Sequence, residues 1–291
     1  MFTAGSNDIV KKLTDKKYAI VSTTTIEFVD MAANWYRSLE TVGLESFAIV
    51  VAYDLASYNK LNDYGITCAY LDVGTFPRNT DGEWYEMEKR TNHLGAKVIL
   101  EHFDINLIRT DTDVFFFKNF IPKFESEDNN ELDMIVCSDR RFDPYTPMRK
   151  KNHIITINAH GQAEDWGESD QSKYGDTNGT ICYVPIRSKQ KAIDFHDSIS
   201  EKKYLEQFPV SEYAGCAQRI WNHAVKEKKL RVKVLSIFDF PNGSIWKVPY
   251  LRKSIEKTCY CIHYNFHSHA APLQRFEEKK EAMIKNGHWL L

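Results

Sequence analysis

Apolar residues in this chain fall into short continuous runs separated by segments of helical length. Residues 18–22 and 47–53 are such runs, as expected of strands buried on both faces, and 66–71 is a third. Between the first two, Phe28, Met31, Ala32, Trp35, Leu39 and Val42 recur at helical spacing, and Gly43 supplies a stop. Thr24 followed three residues later by Glu27 predicts a capping-box start for that helix. A shorter helix is predicted at 55–64, ended by Gly65, and a long one at 83–103 beyond a loop containing Gly and Pro. The apolar run 105–108 then begins a buried strand predicted to end at Asp111, and after the gap at Thr112-Asp113 the chain turns apolar again at Val114 and three phenylalanines.

Strands alternating with helices of this length imply right-handed crossovers and an α/β fold with a mostly parallel sheet flanked by helices. Ligands of such sheets gather at the carboxyl ends of the strands. That rule puts Thr23, Asp54 and Asp111 along one rim. The second half is less regular. Strands are predicted at 133–138, 180–186, 231–235 and 259–264, and helices at 188–200, 211–226 and 274–285. The long polar stretch 139–176 reads as an acceptor-binding loop. With no internal repeat and no low-complexity linker, 1–291 is read as one domain.

Lysine and arginine number 38 against 40 acidic residues, so no global charge attracts nucleic acid or an anionic membrane. No apolar stretch approaches the roughly 20 residues that span a bilayer, and 1–17 lacks the apolar core of a signal peptide. The expectation is a soluble, cytoplasmic chain, with the lumenal part of a trimmed Golgi enzyme as the alternative. Six cysteines without paired spacing argue against a zinc ribbon or a disulfide framework. Two sequons, at Asn178 and Asn242, favour a compartment without glycosylation.

The candidate chemistry sits in Asp111-Thr112-Asp113. In an extended segment, alternate side chains share a face, so the two carboxylates point the same way and repel unless a cation lies between them. Two carboxylates without a neighbouring thiol suit Mg2+ or Mn2+, which keep positions open for waters and substrate phosphates. On the preceding helix, Arg90 and Lys97 are seven residues apart and share a side from which they would reach a diphosphate or ribose.

From about 18 to 269 the chain resembles the nucleotide-diphospho-sugar transferase family, which includes plant cell-wall xylosyl- and arabinosyltransferases. The resemblance is carried by Asn34-Trp35, Tyr53-Asp54, Asp111-Thr112-Asp113-Val114, Thr177-Asn178-Gly179, Phe240-Pro241-Asn242-Gly243 and Ile262-His263-Tyr264-Asn265. It implies a glycosyltransferase A-type fold, with a nucleotide-binding half at about 18–113 and an acceptor half at about 114–291. The implied partners are a UDP-sugar donor of xylose or galactose type and a glycan or other hydroxyl acceptor; the residues leave retention and inversion both open, with retention the preferred reading. By position, Asp111 would lie near the ribose and metal, Asp113 would be the main carboxylate ligand, and His263 a late ligand. Thr23, Thr24 and Asp54 would bond uracil and ribose, and Asn178 and Gly179 would recognise the sugar. Asp176, Glu212 and Gln218 are the candidates for its reacting face. Two departures stand out: Ala217-Gln218 replaces the family's Asp-Gln, and Lys118-Asn119-Phe120 replaces its Arg-Asp-Pro. The weighed alternatives are a sugar-nucleotide-binding protein without turnover and an Asp-x-Asp phosphatase.

Overall fold

The computed structural model describes residues 2–74, 91, 93–138, 177–199, 216–246, 249–265 and 272–291. Its main sheet contains β1 (Tyr18–Thr24), β2 (Ala48–Ala52), β3 (Cys68–Tyr70), β4 (Asn106–Thr110), β6 (Met134–Ser138), β7 (Thr177–Val184) and β8 (Val232–Val234), in the order β3-β2-β1-β4-β7-β6-β8. A separate ribbon pairs β5 (Val114–Phe116) with β9 (Cys261–His263). In the main sheet β1 runs parallel to β2 and β4, β2 to β3, and β6 to β8, while β7 lies antiparallel between β4 and β6.

Side-chain alternation along the strands builds two cores. On one face, Val21, Val51, Leu107 and Cys182 pack with helices α1 (Ser6–Leu13), α4 (Leu94–His102), α6 (Lys189–Ile199) and α7 (Cys216–Glu227). On the other, Ile20, Val50, Ile108 and Ile181 meet α2 (Val29–Thr41), α3 (Leu55–Asp63) and α5 (Ile121–Glu127). Three further helices, α8 (Gly243–Trp246), α9 (Pro249–Ile255) and α10 (Pro272–Lys285), flank β9 in sequence. Gly43 (φ +70°) and Gly65 (φ +69°) take the left-handed conformation that ends α2 and α3, as their positions predict.

One local expectation is corrected, and two features of the chain path are added. The capping box is not formed: β1 continues through Thr24, Thr25 is extended, and a three-ten turn Ile26–Phe28 precedes α2. The Asp54 carboxylate instead accepts the Ile26 N–H at 2.8 Å, while its other oxygen caps α3 by accepting from the Ser57 N–H at 2.7 Å. The strand predicted to end at Asp111 ends at Thr110. The chain leaves the main sheet after Thr110, turns at Thr112 and Asp113, and starts β5 in the other sheet, because β4 pairs with β1 and β7 whereas β5 finds β9. Finally, α1 has no counterpart in the sequence reading; Ala4 just before it bridges to Tyr70 and covers the edge of β3. Of the long helix expected at 83–103, Leu94–His102 is described. The segments 75–90 and 139–176, including the expected acceptor loop, lie outside the described residues.

Candidate active site

The tip of β4 is organised by alternation. Arg109 and Asp111 face one side of the sheet and Thr110 the other. Arg109 is a buried cation, 4% exposed. Its guanidinium donates to the Gly179 carbonyl on β7 and, at 2.9 Å, to Asp111 Oδ1. The second Asp111 oxygen accepts the Thr180 hydroxyl at 2.9 Å, and the Asp111 N–H donates to the Thr180 carbonyl at 2.9 Å. Asp111 is therefore oriented from both neighbouring positions while remaining half-buried.

Asp113 and His263 come from the ribbon. Val114 is registered opposite His263, and the Tyr264 N–H donates to the Asp113 carbonyl at 2.8 Å, which holds the two side chains at adjacent positions. His263 Nε2 lies 3.3 Å from Asp113 Oδ1, and the Lys279 ammonium on α10 lies 2.5 Å from Asp113 Oδ2. Burial alone would raise the Asp113 carboxyl. The adjacent Lys279 and His263 outweigh it and hold that carboxyl well below the usual carboxylate range.

Ligand atoms of Asp111, Asp113 and His263 lie within 4.8 Å of one another, the one such group among the described residues. Two hard carboxylates and one borderline imidazole form a donor set that fits Mn2+ or Mg2+. No thiol belongs to the group, so a structural zinc site is not what the donors match.

A model of the nucleotide-diphospho-sugar transferases matches residues 43–276, which takes in both carboxylates and His263. The chain belongs to the nucleotide-diphospho-sugar transferase family. Among solved structures the transferase is similar to the bifunctional glycosyltransferase WbbM in its apo form, at 11% identity and a TM-score of 0.50, over 91% of this chain and 50% of that one. It is also similar to the galactosyltransferase LgtC in complex with donor and acceptor sugar analogs (13% identity, TM-score 0.47, 91% and 95% of the two chains). Mouse xyloside xylosyltransferase 1 in its apo form is a third (12% identity, TM-score 0.47, 86% and 98%). A comparison with curated proteins finds no match. The fold is of the glycosyltransferase A type, and family membership implies a nucleotide-sugar donor and a glycan acceptor.

Other sequence-predicted residues of the transferase divide into three groups. Thr23, at the end of β1, bonds the Tyr53 hydroxyl, which donates to the Thr91 carbonyl at 2.5 Å and accepts the Gly95 N–H at 3.1 Å. Gly179 lies on β7 beside Arg109 and Trp221. These two are brought to the strand ends around Asp111. The structure does not bring Lys97 or Asp54 to the carboxylates. Lys97 pairs with Asp197 at 2.5 Å and Glu101 at 3.4 Å, facing α6 instead of the rim, because its seven-residue offset from Arg90 fixes a helix side and not what packs there. Asp54 spends both oxygens on backbone caps, and Thr24 is buried with its hydroxyl donating to the Thr25 carbonyl at 3.1 Å. Arg90, Asp176 and Glu212 lie outside the described residues, as do the side chains of Asn178 and Gln218.

Arg109, Thr180 and Lys279 were missed by the sequence reading. For Arg109 a signal existed: a cation inside an apolar strand, two residues before Asp111, must share its face. Lys279 is 166 residues from Asp113 and carries no local signal. The departure at Lys118-Asn119-Phe120 serves the turn into α5: the Asn119 side-chain oxygen accepts the Ile121 N–H at 3.0 Å, and Lys118 donates to the Lys257 and Thr258 carbonyls. Asn242 is 1% exposed, so the second sequon has no room for a glycan in the folded chain. Among the described residues no helix is long and apolar enough to cross a membrane.

Proposed function

We propose that the protein transfers a sugar of xylose or galactose type from a UDP-sugar to a hydroxyl of a glycan acceptor, with a divalent cation, Mn2+ or Mg2+, and with retention of anomeric configuration. The observation that supports this most is the convergence of Asp111, Asp113 and His263 at the carboxyl edge of a mostly parallel sheet, where ligands of such folds bind. Asp111, Asp113 and His263 would hold the ion, which supplies positive charge for a leaving diphosphate. Arg109 and Thr180 keep the Asp111 carboxylate in one orientation, and the β5–β9 pairing keeps Asp113 and His263 at fixed spacing. Thr23 is proposed to bond the donor's ribose and Gly179 to border its sugar, and Asp176, Glu212 and Gln218 are retained as the groups proposed for the reacting face.

A panel of UDP-sugars incubated with Mn2+, with UDP release as the readout, tests the proposal. Metal-dependent release from UDP-xylose or UDP-galactose is expected, and is lost in Asp113→Ala. Release of inorganic phosphate from small phosphoesters, with UDP-sugars left intact, would overturn it in favour of a phosphatase.

A further inference from the structure

Asp113 already has a cation. Its Oδ2 meets the Lys279 ammonium at 2.5 Å, with 13% of the lysine side chain and 9% of the aspartate side chain exposed. The helix that carries Lys279 is tied down at its far end. Asn286 accepts from Arg252 at 2.8 Å, and the buried Asn34 side chain donates to the His288 carbonyl at 3.0 Å and accepts the Leu290 N–H at 2.7 Å. What remains free to move is the lysine side chain, four methylenes on a fixed backbone.

Arg109 stands beside Asp111 in a different way. It is itself buried and also bonded to the Gly179 carbonyl, so it is part of the strand's packing. Lys279 is held by the described contacts through Asp113 alone. A divalent ion at Asp113 and an ammonium on the same carboxylate repel in a site this buried, where charges act strongly on one another. From this, resting on the metal-site reading above, we propose that Lys279 is an internal competitor for the divalent ion: it neutralises the Asp113 carboxylate without the ion and must leave it when the ion binds. The protein's own C-terminal helix thereby weakens and gates metal binding.

Titrating the full chain with Mn2+ alone, followed by calorimetry, tests this on wild type, Lys279→Met, Lys279→Arg and Asp113→Asn. Lys279→Met is expected to bind Mn2+ about tenfold more tightly than wild type, the scale of one charge-assisted hydrogen bond. Lys279→Arg, which keeps the cation, should stay near wild type. A second measurement needs no variant: acetylation of Lys279 in the wild-type protein, read by mass spectrometry against Lys285, should rise when Mn2+ is added. Equal or weaker Mn2+ binding by Lys279→Met, or unchanged Lys279 acetylation under saturating Mn2+, overturns the competitor role while leaving the metal site standing, provided Asp113→Asn loses binding. If wild type and Lys279→Met both fail to bind Mn2+, or Asp113→Asn binds as wild type does, the metal site and the inference fall together.

Discussion

Trp35 donates its indole N–H to the Thr110 hydroxyl at 2.7 Å, and both side chains are buried. Thr110 is the last residue of β4, so a residue of α2 fixes the strand end from which Asp111 projects. Trp35→Phe and Thr110→Val each delete one partner and leave the other unsatisfied. Each is expected to cost about 1 to 3 kcal/mol in urea denaturation, and the double variant should cost less than the sum by about 1 kcal/mol. Simple additivity would mean that the bond does not couple helix to strand.

Asp113→Asn keeps the size of the side chain and removes its charge. Metal-dependent UDP release should drop by more than about 100-fold, since a clamped cation stabilises the leaving group by several kcal/mol. The far-ultraviolet circular dichroism should be unchanged, which separates loss of chemistry from loss of fold. Full activity in this variant would remove Asp113 from its assigned role.

Acid should destabilise the protein through a buried histidine pair. His93 and His196 stack at 5.3 Å between ring centroids, beside Trp221, and neither nitrogen of His196 has a hydrogen-bond partner. Burial, then the Arg109 guanidinium, then the other histidine hold His93 well below the ordinary histidine value; burial, Arg109 and Lys97 push His196 down to about 3. Both rings are neutral in the folded chain, while in the unfolded chain they take up protons below about pH 6.5. The stability they contribute is therefore complete above that pH and is lost as pH falls towards about 3. Urea denaturation between about pH 6 and 4 should show a slope of at most about 2.7 kcal/mol per pH unit for two protons, reduced by about half in His196→Leu. A flat profile would contradict the buried neutral pair.

Gly179→Ala should strain the interior. A Cβ at this position would sit 2.9 Å from Trp221 Cε3 and 3.1 Å from Cδ2 and Cζ3. Trp221 cannot easily yield, because Phe195 lies edge-on at 4.6 Å and His93 at 5.2 Å between ring centroids. A loss of about 1 to 3 kcal/mol is expected. Since the Gly179 carbonyl also receives Arg109, Mn2+ affinity should weaken together with the melting temperature. An unshifted melting temperature would show that Trp221 has room to move.

The alternation of 18–22, 47–53 and 105–108 with helical stretches determined the α/β class and the parallel core, because burial of strands and helices writes periods of two and 3.6 directly into the residue order. The same local logic marked Asp111 and Asp113 as acids at a strand end. It erred where a local pattern has two outcomes: Thr24 and Glu27 satisfy a capping box on paper, but β1 still had a partner in β2 as far as Thr24. His263 was reached by resemblance to a family, not by pattern. Tertiary structure alone decided that β5 pairs outside the main sheet with Val114 registered against His263, that Arg109 and Thr180 share Asp111, and that Lys279 reaches Asp113. Those pairings join residues far apart in the chain, and what selects them is the register and packing of whole elements, a choice that no short stretch of sequence records.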